Sequence, residues 1–368
     1  MKIRFFLIYI SVFTFLFFMS SCDDMKDIPT LSNLPETLGE SGNLYLLSEG
    51  LFNMNNSTLC RINFENKTLV QDFFSATNGR GLGDTANDLQ VYNNKLWIVV
   101  NVSSQVEVLD LNTGISIRQI SILDENLKAR QPRFITFQND KAYVCSFDGT
   151  VTRIDIPTLR IDGVTTCGRN PDGITVANNK LFVSNSGGLD NPDFDSTVSV
   201  IDIPTFKEIK KIDTGLNPYR LATDSAGDVY VVTRGNNSDI KAKFCRINSE
   251  TDKLEQVFVE IPAINFCIMK DTAYLYNFDY VKNTYAIQTF DCKTEQLISE
   301  NFITDGTQLD RPFAISVNPT NGYVYITDAH NYTVKGDLFC FNSAGKLIYK
   351  LESVGLNPNS IVFDSNND

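Results

Sequence analysis

The chain has 368 residues, 42% of them hydrophobic and 21% charged, a balance that excludes wholesale disorder. Its 26 Phe and 14 Tyr, beside a single Trp, favour strands over helices. A formal charge of −12 with no basic run excludes nucleic acid as a partner, because phosphates need clustered Lys and Arg, and argues equally against electrostatic attachment to anionic lipid.

The first element is a targeting segment. Lys2 and Arg4 precede an apolar run from Phe5 to Phe18, and Met19-Ser20-Ser21-Cys22 follows. At roughly 20 residues per crossing the run is too short to span a bilayer, so residues 1–21 read as a signal peptide. The small residues before Cys22 resemble a lipobox, in which the thiol is diacylated and the cysteine becomes the new N-terminus. The plainer alternative is an ordinary signal followed by a chance cysteine. Asp23, Asp24 and Asp27 either resemble an export signal for the outer face of the outer membrane or form a solvated tether. Residues 22–42, with Pro29, Pro35, Gly39 and Gly42 and no periodicity, read as a flexible acidic tether.

From residue 43 to 368 a repeat governs the chain. A proline with an apolar residue three positions on, and in most copies another five on, recurs at Pro132, Pro171, Pro218, Pro312 and Pro358, more weakly at Pro262 and in degenerate form at Ala86. An aromatic strand follows each anchor, as in Leu96-Trp97-Ile98-Val99 and Ala142-Tyr143-Val144. A third strand ends in an apolar residue plus Asp or Asn, as in Leu109-Asp110 and Ile201-Asp202. A fourth, more polar strand completes the unit. Four short strands in units of roughly 40–50 residues are the spacing of propeller blades. The chain enters on a second strand, Leu44–Ser48, and leaves on a lone first strand, Ser360–Phe363. The expected fold is therefore all-β: a seven-bladed β-propeller whose last blade takes strands from both termini, leaving no open edge.

Seven cysteines follow Cys22, namely Cys60, Cys145, Cys167, Cys245, Cys267, Cys292 and Cys340. An odd number without a close CxxC pair is no disulfide framework, and their apolar surroundings mark them as buried packing residues. With His330 as the one histidine, metal sites built from several histidines are excluded.

Function in such a ring belongs to the loops of one face. The turns opening the first strands supply Asn87, Asp88, Arg133, Asn170, Asp172, Tyr219, Arg220 and Asn359. The loops between second and third strands supply Phe52, Phe147, Asn185, Asn277, Tyr280 and Asp328, with Arg234, Phe278 and Tyr332 among their neighbours. Together they form a candidate ligand-binding face of amides, guanidiniums and aromatics. Taken singly, the Asn and Asp residues also serve as turn formers, and the arginines as partners for acids. The loop Ser186–Ser196 alternates oxygen-bearing side chains that suit Ca²⁺, or is simply a solvated Asp/Asn loop. No catalytic residue and no resident cofactor is expected. Gly79-Arg80-Gly81-Leu82-Gly83 lies outside any βαβ unit, no Gly-x-Ser-x-Gly elbow is present, and nucleophilic triads would rest wholly on His330. Whether acids converge across the channel is not legible in a linear sequence.

The Pro-anchored strand, the aromatic second strand and the third strand ending in Ile/Leu-Asp resemble the YncE-like seven-bladed propellers over about residues 42–364. More narrowly, Leu47-Ser48-Glu49-Gly50-Leu51-Phe52 with Asn55–Leu59, Gly83-Asp84, and Ile98–Asn101 with Val106–Asp110 are similar to a group of outer-membrane surface lipoproteins. Some members of that group capture cobalamin and hand it to a TonB-dependent outer-membrane transporter. The resemblance thus implies a non-catalytic lipoprotein, held by a lipid anchor at the cell surface, that binds a small-molecule nutrient, a cobalamin-type corrinoid first. A propeller-type hydrolase or lactonase, or a protein-interaction scaffold, are the alternatives.

Overall fold

Each repeat unit forms one antiparallel sheet whose second strand is buried on both faces, as in Lys95–Val100 and Lys141–Ser146, while its fourth strand, as in Ser116–Ser121, is mostly exposed. The computed structural model describes residues 40–236, 238–280 and 282–364. Within them lie seven four-stranded sheets. Blades 1 to 6 begin with the first strands Ala86–Tyr92, Pro132–Gln138, Pro171–Ala177, Pro218–Thr223, Asn265–Met269 and Pro312–Val317. Blade 7 pairs Pro358–Phe363 with Asn43–Ser48, then adds Thr58–Asn63 and Thr68–Val70. The closing ladder sets Leu44 against Phe363, Tyr45 against Val362 and Leu46 against Ile361. A clasp seals it: Asn43 donates its backbone N–H (2.7 Å) and its Nδ2 (2.8 Å) to Asp364 Oδ2. Gly42 fits beside this clasp at φ +77°, where a Cβ would stand 2.3 Å from the Asp364 carboxylate.

The recurring prolines have a physical reason. Pro132 pairs with Ser146 but Phe134 already pairs with Cys145, and the same register slip follows Pro171, Pro218 and Pro312. A bulge at the head of the strand needs no N–H, so proline costs nothing there. The residue before it turns left-handed, as at Asn170 (φ 45°), Asn217 (57°) and Asn357 (55°), where Asn is tolerated. Blade 5 departs from the expected anchor at Pro262. Its strand starts at Asn265, and Phe266 pairs with Leu275, which gives the anchor position to buried Ala263. The Asp or Asn ending each third strand is a turn cap. Asp110, Asp155 and Asp202 accept the N–H of Thr113 (2.9 Å), Thr158 (3.1 Å) and Thr205 (2.9 Å).

The ring has no central core. Each of the seven apolar clusters lies between two successive blades. Trp97 of blade 1, fully buried, packs with Ile135, Ala142 and Val144 of blade 2. Tyr45 of blade 7 packs on blade 1 and donates its hydroxyl to the Leu111 carbonyl (2.8 Å). Blades bury their faces only against neighbours, which leaves the axis open as a channel.

A short helix, Phe73–Asn78, was not expected. Asp72 caps it by accepting the Ser75 N–H (3.2 Å), and Gly79 ends it at φ 66°. The helix wedges Phe73 and Phe74 between blades 7 and 1, so the glycine run that follows is a helix exit. Glu40 accepts hydrogen bonds from Tyr325, Tyr349 (3.3 Å) and Asn321 (3.3 Å), which ties it to blade 6. Cys22, the signal segment and the rest of the tether lie outside the described residues. Among the described residues no helix is long and apolar enough to cross a membrane.

Candidate functional site

One repeat position builds the mouth of the channel. The residue after each anchor is Asn87, Arg133, Asp172, Tyr219, Ile264, Phe313 and Asn359 in ring order; a bulge holds this position in every blade but the fifth, and all of these residues except Arg133 line the channel cavities. Consecutive members bond across blade boundaries. Asn359 Nδ2 donates to the Asn87 carbonyl (3.0 Å), Arg133 Nη1 donates to Asn87 Oδ1, and Arg133 Nε meets Asp172 Oδ1 at 2.6 Å. The Arg133 guanidinium also stacks 4.5 Å from the Phe147 ring.

Above this ring lies a cavity of ≈ 390 Å³ walled by seven aromatic rings: Phe147, Phe194, Tyr276, Phe278, Tyr280, Phe313 and Tyr332. Phe278 and Tyr280 meet edge to face at 4.9 Å, as do Phe313 and Tyr332 at 5.7 Å. Arg311 stacks between them, 4.5 Å from Phe278 and 5.3 Å from Tyr332. Asp172, Asn191, Asn217 and Arg234 add charged and amide groups to the wall beside its three tyrosines. Below, the channel narrows to a cavity of ≈ 190 Å³ lined in part by Glu49, Asn87, Tyr219, Arg220, Arg234 and Asn359. Arg234, Tyr276 and Phe313 line both cavities and join them.

The acids of the channel are enclosed. Burial pushes the Glu49 carboxyl above the usual carboxylate range, against the opposing pull of Arg133 and the 3.0 Å hydrogen bond from Asn359. Burial raises Asp88 likewise, opposed first by Arg220, while its Oδ2 accepts the Ile135 N–H (3.1 Å).

Of the residues expected on the face, Asn87, Phe147, Asp172, Tyr219, Arg220, Tyr280 and Asn359 line the two cavities. Arg133 joins them through its contacts, and Asp88 lies deeper in the channel beside Arg220. Asn277 lines a neighbouring pocket with Phe278 and Tyr280. The other four stand elsewhere. Asn170 forms a turn and donates to the Phe147 carbonyl (2.9 Å). Asn185 is fully buried inside blade 3, bonded to Gly168, Thr197 and Ser199. Asp328 accepts the backbone N–H groups of Asp310, Arg311 and His330. Phe52, 69% exposed, lines neither cavity.

Glu49, Phe194, Tyr276 and Phe313 were missed. Two repeat positions held a signal for two of them: Phe313 follows an anchor proline, and Glu49, like Phe147 and Arg234, is the first residue past a second strand. The Ser186–Ser196 loop does not gather its acids. Asp190 pairs with Arg169 (2.8 Å), and Asp195 accepts the N–H groups of Ser196 and Thr197. Instead Asn191 and Phe194 of this loop close over the aromatic cavity. Among the described residues one group, Asp310, Asp328 and His330, converges as metal ligands would. Asp328 already serves three N–H groups there, and the His330 ring nitrogens face Asp310 (3.0 Å) and Asp337 (3.1 Å), an arrangement that holds an imidazolium.

A family model described as a domain of unknown function (DUF5074) matches residues 42–363. No curated protein matches the chain. Among solved structures, a quinonprotein alcohol dehydrogenase-like protein from Bacteroides thetaiotaomicron is similar at a TM-score of 0.65 and 18% identity, over 88% of this chain and 78% of that one. Hydrazine synthase of Kuenenia stuttgartiensis is similar at 0.57 and 14%, over 70% and 76%. The computationally designed Ika8 protein follows at 0.54 and 13%, over 76% and 91%. At such identities the likeness is one of fold alone.

Proposed function

The chain belongs to the DUF5074 family, and we propose that its propeller is a binding module that captures a small organic nutrient at the channel mouth. The observation that carries this reading is the aromatic cavity of ≈ 390 Å³ set over a ring that mixes amide, guanidinium, carboxylate and aromatic side chains. Aromatic walls offer broad contact to a flat or cyclic molecule at little cost in rotamer freedom, and a few polar groups fix its orientation. A corrinoid of the cobalamin type is the first ligand to try, on the strength of the resemblance to surface lipoproteins. It would stand partly out of the cavity, with its face against Phe278, Tyr280 and Tyr332. On the same reading Cys22 carries the lipid that holds the protein at the outer membrane. The module then passes its cargo to a TonB-dependent transporter.

Calorimetric titration with cobalamin and its corrin precursors tests this. The expected result is a nanomolar dissociation constant. Phe278→Ala should weaken it by about tenfold, the scale of one lost aromatic contact with its buried area. Absence of both heat and spectral change in the native protein would remove the corrinoid.

A further inference from the structure

Six of the twelve described arginines meet a carboxylate, Arg133 among them. Arg80, Arg130, Arg153 and Arg169 each meet a carboxylate, and Arg246 meets three. Arg220 and Arg234 do not, although both line the narrow channel cavity, where hydration is restricted. Among the described residues no carboxylate lies within 4.0 Å of either. Arg220 makes no hydrogen bond to a described residue, and Arg234 makes one long bond, from Nε to the Ile264 carbonyl (3.4 Å). Glu49 and Asp88 feel these arginines only through space.

Both guanidiniums are nevertheless held in place. Arg234 stacks over Tyr219, with its central carbon 3.2 Å from the ring centroid, and Arg220 stacks over Phe134 at 4.8 Å. Stacking covers the flat face of a guanidinium and leaves its in-plane fork of N–H donors available for a planar or tetrahedral oxyanion. A second observation comes from Asn359 in the same cavity. Its Nδ2 donates to Glu49 Oε1, to the Ala86 carbonyl and to the Asn87 carbonyl, each at 3.0 Å, which fixes the orientation of the amide. Its Oδ1 is buried without a partner. An orphaned acceptor in the same cavity as two guanidiniums that contact no carboxylate suits a group that accepts strongly and also offers an O–H.

We propose that the narrow cavity beneath the aromatic wall is an oxyanion subsite, in which Arg220 and Arg234 grip a phosphate or hydroxy-carboxylate group of the bound molecule while Asn359 Oδ1 takes its hydroxyl. This rests on the capture reading above and adds to it a ligand class: a molecule with a broad apolar or cyclic body and an anionic arm that reaches down the axis. The ring member Arg133, already satisfied by Asp172 and Asn87, holds the mouth rigid and takes no part.

The test follows the arginine Nε–Hε resonances of the full chain in non-ionic detergent at constant ionic strength. Inorganic phosphate and glycolate are the two probes, and single Arg→Gln variants give the assignments. The expected result is a saturable shift of the Arg220 and Arg234 signals below about 20 mM probe, a millimolar affinity fitting a fragment. The signals of Arg133 and Arg246 should stay in place, and the double variant Arg220→Gln/Arg234→Gln should show no saturation. The probe that saturates at the lower concentration identifies the group as phosphate or hydroxy-carboxylate. Arg234→Lys keeps the charge but not the fork, and should weaken binding about tenfold while melting with the native protein. The proposal is overturned if neither signal saturates, or if the exposed Arg118 and Arg160 shift equally. Failure of cobalamin to bind, with phosphate still saturating, would remove the corrinoid and leave this subsite standing.

Discussion

The Arg133–Asp172 pair offers the sharpest test of how the mouth is held together. Both side chains are largely buried, 14% and 9% exposed, and they meet at 2.6 Å across the boundary of blades 2 and 3. Breaking a buried ion pair from one side costs about 3–5 kcal/mol, because the surviving charge stays desolvated. The two sides are not equivalent. After Asp172→Leu, the guanidinium keeps Asn87 Oδ1 and the Phe147 ring, which points to about 3 kcal/mol. After Arg133→Met, the carboxylate keeps no hydrogen bond to a described residue, and Glu49 loses the cation that opposes its burial, which points to about 5 kcal/mol. At roughly 2.1 cal/mol/K per residue, a domain of this length would melt about 4–7 °C lower. Arg133→Met/Asp172→Leu together should recover most of the loss, since neither charge is stranded. Urea unfolding of the four proteins gives the coupling energy. A coupling under about 0.5 kcal/mol, the value for a solvated surface pair, would refute the reasoning.

Two further outcomes follow from titrating groups. His330 is held above its ordinary 6.5: burial acts to lower it, but the hydrogen bond to Asp310 and the charges of Asp328 and Asp337 outweigh that. Its contribution to stability is therefore complete below pH 6.5 and is lost as the pH rises through the raised value, so His330→Gln should flatten the stability profile across that window. A native profile already flat there would sink this account of the His330 contacts. Burial pushes the thiols of Cys60, Cys145, Cys245 and Cys292 up to about 12, so these should resist Ellman's reagent until urea exposes them. Rapid reaction of the folded protein would contradict the packing role. Labelled palmitate incorporated by the native chain should be lost in Cys22→Ser.

What could be read from the sequence is what local chemistry dictates. A proline marks the first-strand bulge in five blades, an Asp or Asn caps the turn after each third strand, and the apolar second strands mark the middle of each blade. All three act within a few residues, so the blades and their number follow from the residues alone. The split repeat even announced the closure that Leu44 and Phe363 complete. The helix at Phe73 escaped notice because six residues carry too little periodicity, and its reason for forming is the gap it fills between blades 7 and 1. The site was legible only as positions. That Asn359, Asn87, Arg133 and Asp172 form one bonded arc, and that Arg220 and Arg234 face the channel with no carboxylate in contact, depends on the angle at which each blade meets the next. That angle is set by how Trp97, Tyr45 and their counterparts pack between sheets, a property of volumes in three dimensions. Residues a whole repeat apart become neighbours only when the ring closes, and so the tertiary structure alone decided which of them meet.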